Sequence, residues 1–176
     1  MGIPGSGKTF FGQHFAETFN APYINPHHIA SQSGISDDAA HTVSHMVLKE
    51  ILKTGRAVVF DGQSHARTER QALAAMAKQA GYVPLFIWVQ TESVAAKQRA
   101  SKRTHNGQGL DSHAFDTQVK RFSPPHESER AVVISGKHTY PSQLKIVLKR
   151  LIVPREQATN VALPVRHASD RHKLIR

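Results

Sequence analysis

A glycine-rich segment at the start of the chain limits how the rest can fold. Residues 2–9 read Gly-Ile-Pro-Gly-Ser-Gly-Lys-Thr and fit the pattern G-x-x-x-x-G-K-[S/T] at every defined position. The glycines allow backbone angles that turn consecutive N–H groups toward one anion. The lysine places a mobile positive charge beside the β- and γ-phosphates of a nucleotide, and the threonine offers a hydroxyl to Mg²⁺. We therefore predict that this segment, the phosphate loop, binds ATP or another nucleoside triphosphate together with Mg²⁺.

The residues predicted to contact the nucleotide lie in this loop and directly after it. They are Gly2, Pro4, Gly5, Ser6, Gly7, Lys8, Thr9 and Phe10. Lys8 is also predicted to be catalytic, and Thr9 to bind the metal. A Gly/Ser turn with an accidental lysine is the alternative, but residues 9–19 carry apolar side chains at helical spacing. A helix that starts here points its positive end at the same anion, which favours phosphate binding.

Helix-like and strand-like segments alternate along the rest of the chain. Strands are predicted at 21–25, 57–60, 82–89 and 131–134, and further helices at 37–53, 67–80, 92–103, 115–122 and 142–151. This alternation predicts an α/β fold in which helices cover both faces of a mostly parallel sheet, the three-layer P-loop NTPase fold. In that fold a strand precedes the glycine loop. Because Met1 alone precedes the loop here, we expect the first strand to be missing.

Length and composition favour one domain at 1–153 and a basic, poorly ordered tail at 154–176. There is no cysteine, which excludes disulfides and cysteine-ligated zinc. The longest apolar stretch, 83–89, is too short to cross a bilayer, and no signal peptide opens the chain, so we expect a cytoplasmic protein without a membrane partner. The net charge of +10 favours polyanionic partners such as nucleotides or nucleic acid, although a solvated basic surface explains it as well. The oligomeric state is left open.

A carboxylate follows the apolar run at 57–60. Asp61 stands where it can hold Mg²⁺ through water or orient an acceptor, and we predict it to be catalytic and metal-binding; a turn-forming Asp-Gly pair is the alternative. Arg67 and Arg70, early in the next helix, either bind an acceptor phosphate or pair with Glu69 and solvent. His41 and His45, one helical turn apart in 37–53, favour a surface pair over a metal site.

Several segments, in the same order along the chain, resemble those of small P-loop kinases related to the polynucleotide kinase domain, a group also described as AAA-family ATP-binding proteins. The matching segments are the phosphate loop, 58–63, 67–70, 81–84, 98–103 and 122–129. Together they span roughly residues 2–135. The resemblance implies an ATP-dependent kinase with a mobile basic lid, in which Arg99 and Arg103 contact the phosphates and Arg103 is catalytic. The alternative for both arginines is the solvated face of a surface helix.

One position departs from that family. Its kinases carry an aspartate just after the second strand as general base, and the matching residue here is Asn25, whose amide takes no proton at neutral pH. Asp37, Asp38 or Asp61 could serve instead, and because phosphoryl transfer depends largely on positioning and charge stabilisation, loss of the base need not abolish it. The leading hypothesis is a kinase that transfers the γ-phosphate of ATP to a hydroxyl acceptor, with a nucleotide or polynucleotide 5′-hydroxyl as one candidate. The alternatives are a kinase for a small molecule such as a sugar or antibiotic, a nucleotide-binding regulatory module without turnover, and a plain nucleic-acid binder.

Overall fold

A computed structural model describes residues 1–102 and 109–152 of the chain. The elements in these ranges are α1 (Lys8–Thr18), β1 (Tyr23–Ile24), α2 (Pro26–Ser33), α3 (Asp37–Leu52), β2 (Val59–Phe60), α4 (Arg67–Gln79), β3 (Ile87–Gln90), α5 (Ser93–Lys102), α6 (Ser112–Arg121), a 3-10 turn (Glu127–Glu129), β4 (Val132–Ser135) and α7 (Tyr140–Ile152). Arg103 and the predicted tail at 154–176 lie outside the described residues. Over the described ranges, no helix combines the length and the apolar character that a membrane span requires.

The strands form two parallel pairs. Tyr23 and Ile24 of β1 pair with Val59 and Phe60 of β2. Strand β3 pairs with β4 over four residues, 87–90 against 132–135. The predicted α/β fold with parallel strands is therefore confirmed, but the strands are arranged as two separate pairs rather than as one continuous sheet.

Met1 pairs with β3 in the manner of a strand residue. Its nitrogen donates a hydrogen bond to the Ile87 carbonyl oxygen at 2.7 Å, and the Val89 N–H donates to the Met1 carbonyl oxygen at 3.0 Å. The next residues form the phosphate loop, and there the Thr91 hydroxyl donates to the Ser6 carbonyl oxygen at 3.1 Å. These bonds place the phosphate loop at the carboxyl end of β3.

Helix α2 was not predicted from the sequence. Its eight residues, Pro-His-His-Ile-Ala-Ser-Gln-Ser, carry no apolar stripe that would reveal helical spacing. Local signals set its ends: the Asn25 side chain accepts a hydrogen bond from the His28 N–H at 3.1 Å, Pro26 occupies the first turn, and Gly34 ends the helix with φ of +66°. Each of these signals is a single residue, and a single residue predicts a helix less strongly than a repeated apolar pattern does.

Strand β3 is shorter than the apolar run that predicted it. The run begins at residue 82, whereas the ladder begins at Ile87. Pro84 has no N–H to contribute to a ladder, and the partner strand β4 spans only four residues. The available partner, rather than the length of the apolar run, therefore decides how far β3 extends.

Three apolar clusters form the core. The first joins α1, β3, β4 and α7 and contains Phe11, Val89, Val132, Ile134 and Val147. The second joins β1 to α3 through Ile24, Leu48 and Leu52. The third joins α5 to α6 through Ala96, Ala100 and Phe115. Ile3 of the phosphate loop packs against this third cluster, so the α5–α6 pair rests directly on the loop.

Neighbouring residues of β4 provide a test of this packing. Ile134 is 1% exposed in the first cluster, whereas Val133 on the opposite face is 45% exposed. We expect Ile134→Ala to lower the free energy of unfolding by about 2–5 kcal/mol, because it leaves a cavity. The matched control Val133→Ala should cost about 0.5 kcal/mol or less. Urea unfolding of both variants measures the difference, and equal losses would contradict the assigned faces of β4.

Candidate active site

The phosphate loop leads directly into the first turn of α1. Gly7 precedes the helix with φ of +104°, and no side chain in the described part of the chain caps the helix. The N-terminal end of a helix favours an anion in the loop before it. Gly5, with φ of +73°, lies so close to α5 that a Cβ atom there would collide with the Ala96 carbonyl oxygen. Glycine is required at this position both for the backbone angle and for the contact with α5.

Lys8 and Ser6 add polar groups to the same loop. The Lys8 ammonium donates a hydrogen bond to the Ile3 carbonyl oxygen at 2.8 Å, which holds it across the loop. Ser6 is fully buried, and its hydroxyl has no hydrogen-bond partner within the described part of the chain. Buried hydroxyl groups without a partner are uncommon because their desolvation is not compensated. A buried hydroxyl without a partner, beside a helix N-terminus and an ammonium group, fits a phosphate chain.

Three donors converge on one oxygen of Asp61. Its Oδ2 accepts hydrogen bonds from the Thr9 hydroxyl at 3.0 Å, from the Tyr23 hydroxyl at 2.8 Å and from the Asn25 amide at 2.9 Å. The Asp61 N–H also donates to the Ile24 carbonyl oxygen at 2.8 Å, so backbone and side chain are both held. A threonine hydroxyl beside a carboxylate is an oxygen ligand set that suits Mg²⁺. The structure thus brings Lys8, Thr9 and Asp61 to one place.

Tyr23 takes part in the site although the sequence did not single it out. Burial and the neighbouring negative charge of Asp61 raise the pKa of the Tyr23 phenol, which therefore remains a protonated donor at neutral pH. The residue lies in β1, and β1 pairs in parallel with β2, which ends one residue before Asp61. Residues of a binding site commonly lie at the carboxyl ends of neighbouring parallel strands. Tyr23 could therefore have been found once the pairing of β1 with β2 was known.

Asn25 has a structural reason to be an amide. Its Oδ1 accepts the His28 N–H at the start of α2, while its Nδ2 donates to Asp61 and, at 3.1 Å, to the Tyr23 hydroxyl. The residue is buried, at 5% exposure. An aspartate could accept the helix N–H but could not donate to a second carboxylate. The departure from the family's general base therefore coincides with a hydrogen-bonding role that only an amide fulfils.

A cleft of about 320 Å³ lies beside the loop at the carboxyl ends of β3 and β4. Its lining residues, which sequence reasoning missed, are Gln90, Thr91, Glu92, Ser135 and Lys137. Arg99, expected to contact phosphates, is exposed at this end of the strands and donates to the Gly136 carbonyl oxygen at 3.0 Å. An ion pair of 2.7 Å joins Lys137 to Glu92. The location could have been found from the rule that ligands bind outside the carboxyl ends of parallel strands.

Other residues considered from the sequence lie apart from these contacts. Phe10 is 49% exposed, and its ring centroid lies 4.2 Å from that of His14. His45 hydrogen-bonds the His41 backbone within α3, and no group of three or more His, Asp or Glu in residues 1–102 and 109–152 is arranged to hold a metal ion. Asp37 and Asp38 are exposed in the first turn of α3.

The loop that follows Asp61 lies on the other side of the site. Within this loop, His65 is half-buried, and burial together with the charge of Lys8 lowers the pKa of its imidazole. Arg67 is exposed and reaches the Ser128 hydroxyl at 3.3 Å. Arg70 is fully buried and pairs with Glu129, not with Glu69 or solvent.

A glycine loop that opens a helix beside parallel strands, with a carboxylate bound to the loop threonine, defines a small P-loop kinase-like protein. The chain belongs to the family described as the AAA domain, whose family model matches residues 1–125. No curated protein matches it significantly.

Two solved structures share the fold. A gluconokinase from Sinorhizobium meliloti 1021 superposes with a TM-score of 0.60 at 23% identity, over 86% of this chain and 90% of that one. A sugar kinase from Janibacter sp. HTCC2649, in an unliganded structure, superposes with a TM-score of 0.58 at 20% identity, over 86% of this chain and 91% of that one. Similarity at this identity establishes the fold.

The contact between Asn25 and Asp61 predicts how the stability of a variant at residue 25 depends on pH. Asn25→Asp would place a second carboxylate about 2.9 Å from Asp61. We expect it to lower the free energy of unfolding by about 1–3 kcal/mol at pH 7, because like charges repel and a donor is lost. The repulsion exists only while both carboxyl groups are ionised. The charge-dependent part of the loss should therefore be present at neutral pH and shrink as the pH falls toward about 4.

Urea unfolding of this variant between pH 4 and pH 8 measures the effect. Asn25→Ala is the matched control, since it removes the same donor bonds to Asp61 and Tyr23, together with the cap of α2, without adding a charge. Its loss of stability, relative to the unchanged protein, should vary little over the same range. Identical pH profiles for the two variants would contradict the close contact between residue 25 and Asp61.

Proposed function

We propose that this chain is a kinase that transfers the γ-phosphate of ATP to a hydroxyl group of a small acceptor. The observation that carries the proposal is the 3.0 Å hydrogen bond between the Thr9 hydroxyl and the Asp61 carboxylate at the end of the phosphate loop. Magnesium-dependent phosphoryl transfer needs a hydroxyl and a carboxylate at this place, next to a cation that neutralises the phosphates. Lys8 supplies that cation.

Each part of the site has a role in this reaction. The loop amides and Lys8 would bind the β- and γ-phosphates, and Thr9 and Asp61 would hold Mg²⁺, which neutralises developing charge when bound. The acceptor oxygen forms a bond to the γ-phosphorus while the bond from that phosphorus to the β–γ bridging oxygen breaks, and ADP leaves. Asp61 accepts the proton of the acceptor hydroxyl. Because this transfer depends mainly on position and charge, the amide at Asn25 is compatible with turnover.

The nucleoside and the acceptor are assigned to opposite sides of the phosphate loop. The cleft formed by Gln90, Thr91, Glu92, Ser135 and Lys137 would receive the nucleoside, and Arg99 stands at its edge. The acceptor would enter between the start of α2 and the loop 62–66. Arg103 is proposed to close over the phosphates from the segment that follows α5.

The similarity to a gluconokinase and to a sugar kinase favours a small polyhydroxylated acceptor, because such compounds offer a primary hydroxyl and little bulk. The net charge of +10 supports a second candidate, a polynucleotide 5′-hydroxyl. We assign residues 1–153 to one kinase domain. In support, β4 and α7 beyond the family match contribute Ile134 and Val147 to the same core cluster as Phe11 of α1.

Radiolabelled γ-phosphate tests the proposal. The wild-type protein is incubated with labelled MgATP and one acceptor at a time. The acceptors are D-gluconate, D-glucose, a nucleoside and a 5′-hydroxyl oligonucleotide. We expect label on a sugar or sugar acid. Lys8→Ala should lower the rate roughly 100-fold or more, because it removes the charge that stabilises the transferring group. Lys78→Ala is the matched control, since Lys78 is exposed in the last turn of α4.

The other outcomes separate the alternatives. Label on the oligonucleotide alone would replace the sugar acceptor by the polynucleotide. Calorimetric binding of MgATP without label on any acceptor would indicate a regulatory module. No calorimetric response to MgATP or MgGTP at millimolar concentration would overturn the phosphate-loop interpretation and the kinase proposal together.

A further inference from the structure

Arg70 is buried among polar groups from two segments of the chain. It is 0% exposed, and its Nε and Nη2 donate to the two Glu129 carboxylate oxygens at 2.6 and 2.9 Å. Its Nη1 donates to three carbonyl oxygens, those of Ser64 and His65 at 3.1 Å and that of Ser123 at 3.0 Å. A weaker bond of 3.5 Å runs from Nη2 to the Pro124 carbonyl oxygen. All three nitrogens of the guanidinium therefore donate hydrogen bonds.

This arrangement specifies geometry more than it stabilises the fold. A buried ion pair loses hydration at both charges, and well-packed apolar residues often replace such a pair without loss of stability. A guanidinium differs from an apolar side chain, and from lysine, because its planar fork of N–H groups fixes the directions of several acceptors at once. The hydrogen bonds from Arg70 also lower the pKa of Glu129, which keeps that partner charged at neutral pH.

The acceptors of Arg70 belong to two segments. The first is the loop 62–66, which starts one residue after Asp61 and is called the acceptor loop here. The second is the strap 122–130, which leads from α6 to β4. The backbone also joins them directly, because the Ser123 N–H donates to the His65 carbonyl oxygen at 2.9 Å.

Hydrogen bonds hold both the N–H group and the carbonyl oxygen of His65 in the acceptor loop. The Glu69 carboxylate accepts the N–H groups of His65 and Ala66 at 2.8 and 3.0 Å. The carbonyl oxygen of His65 accepts from Arg70 and from Ser123. A loop fixed in this way holds the backbone next to Asp61 in one conformation, and the charge of Lys8 reaches His65 in it.

We propose that Arg70 is the positioning residue of the acceptor side, clamping the acceptor loop to the strap so that a hydroxyl acceptor is aligned with Asp61. This inference rests on the proposed function. Arg70 makes no hydrogen bond or ion pair to the phosphate loop among the described residues, so nucleotide binding should not depend on it. The two halves of the site are then separable: the loop 2–9 binds the nucleotide, and Arg70 orders the acceptor side.

Three variants test the clamp. Arg70→Lys keeps the charge and removes the fork, Glu129→Gln keeps acceptor atoms and removes the partner charge, and Arg121→Lys is the matched control because Arg121 is exposed at the end of α6. With D-gluconate as acceptor probe, we expect Arg70→Lys to raise the acceptor KM about tenfold or more, as expected when a positioning contact is lost. The KM for ATP and the calorimetric Kd for MgATP should stay within about twofold. Glu129→Gln should show a smaller change and Arg121→Lys none.

Amide hydrogen exchange tests the clamp without requiring phosphoryl transfer. Arg70→Lys should speed exchange about tenfold or more at the amides of His65, Ala66 and Ser123, and leave β3 and β4 unchanged. Unchanged exchange there, or equal rises in both KM values, would overturn the positioning role. If the wild-type protein labels no acceptor, the proposed function fails, and the exchange result still decides whether Arg70 clamps the two segments.

Discussion

The hydrogen bonds received by Asp61 connect the parts of the molecule on which the site depends. Asp61 directly follows β2, and its carboxylate binds the Thr9 hydroxyl in the first turn of α1. The phosphate loop is held to β3 through the backbone of Met1 and through Thr91. Because β1–β2 and β3–β4 are separate pairs, the phosphate loop and α1, which contact both, help to join the two halves of the fold. The site and the fold therefore share the same contacts.

The hydrogen-bonding needs of one carboxylate explain the identity of its neighbours. Asp61 accepts and does not donate, so every group that touches it must carry a hydrogen. Thr9, Tyr23 and Asn25 all meet that requirement. Asn25 must in addition accept the N–H that starts α2, so its side chain has to donate and accept at once, which an ionised carboxylate cannot do. One amide side chain thus both caps α2 and holds Asp61.

Arg70 and Glu69 act on the acceptor loop in complementary ways. The carboxylate of Glu69 binds backbone N–H groups, and the guanidinium of Arg70 binds backbone carbonyls. Both residues lie in the first turn of α4, so one helix orders the segment before it. The loop thereby satisfies its polar groups without belonging to a sheet or a helix. Such a loop can be rigid although it has no regular structure.

The sequence by itself determined the phosphate loop, the carboxylate at Asp61, the parallel α/β fold and the approximate position of most helices. These features depend on local patterns, since glycines, a lysine and apolar spacing act within one segment. Tertiary structure decided the rest. The extent of β3 follows from its partner β4, α2 depends on caps, and Arg70 met Glu129 across 59 residues rather than Glu69 beside it. Pairing over such a distance depends on how the segments pack, and no local pattern encodes it.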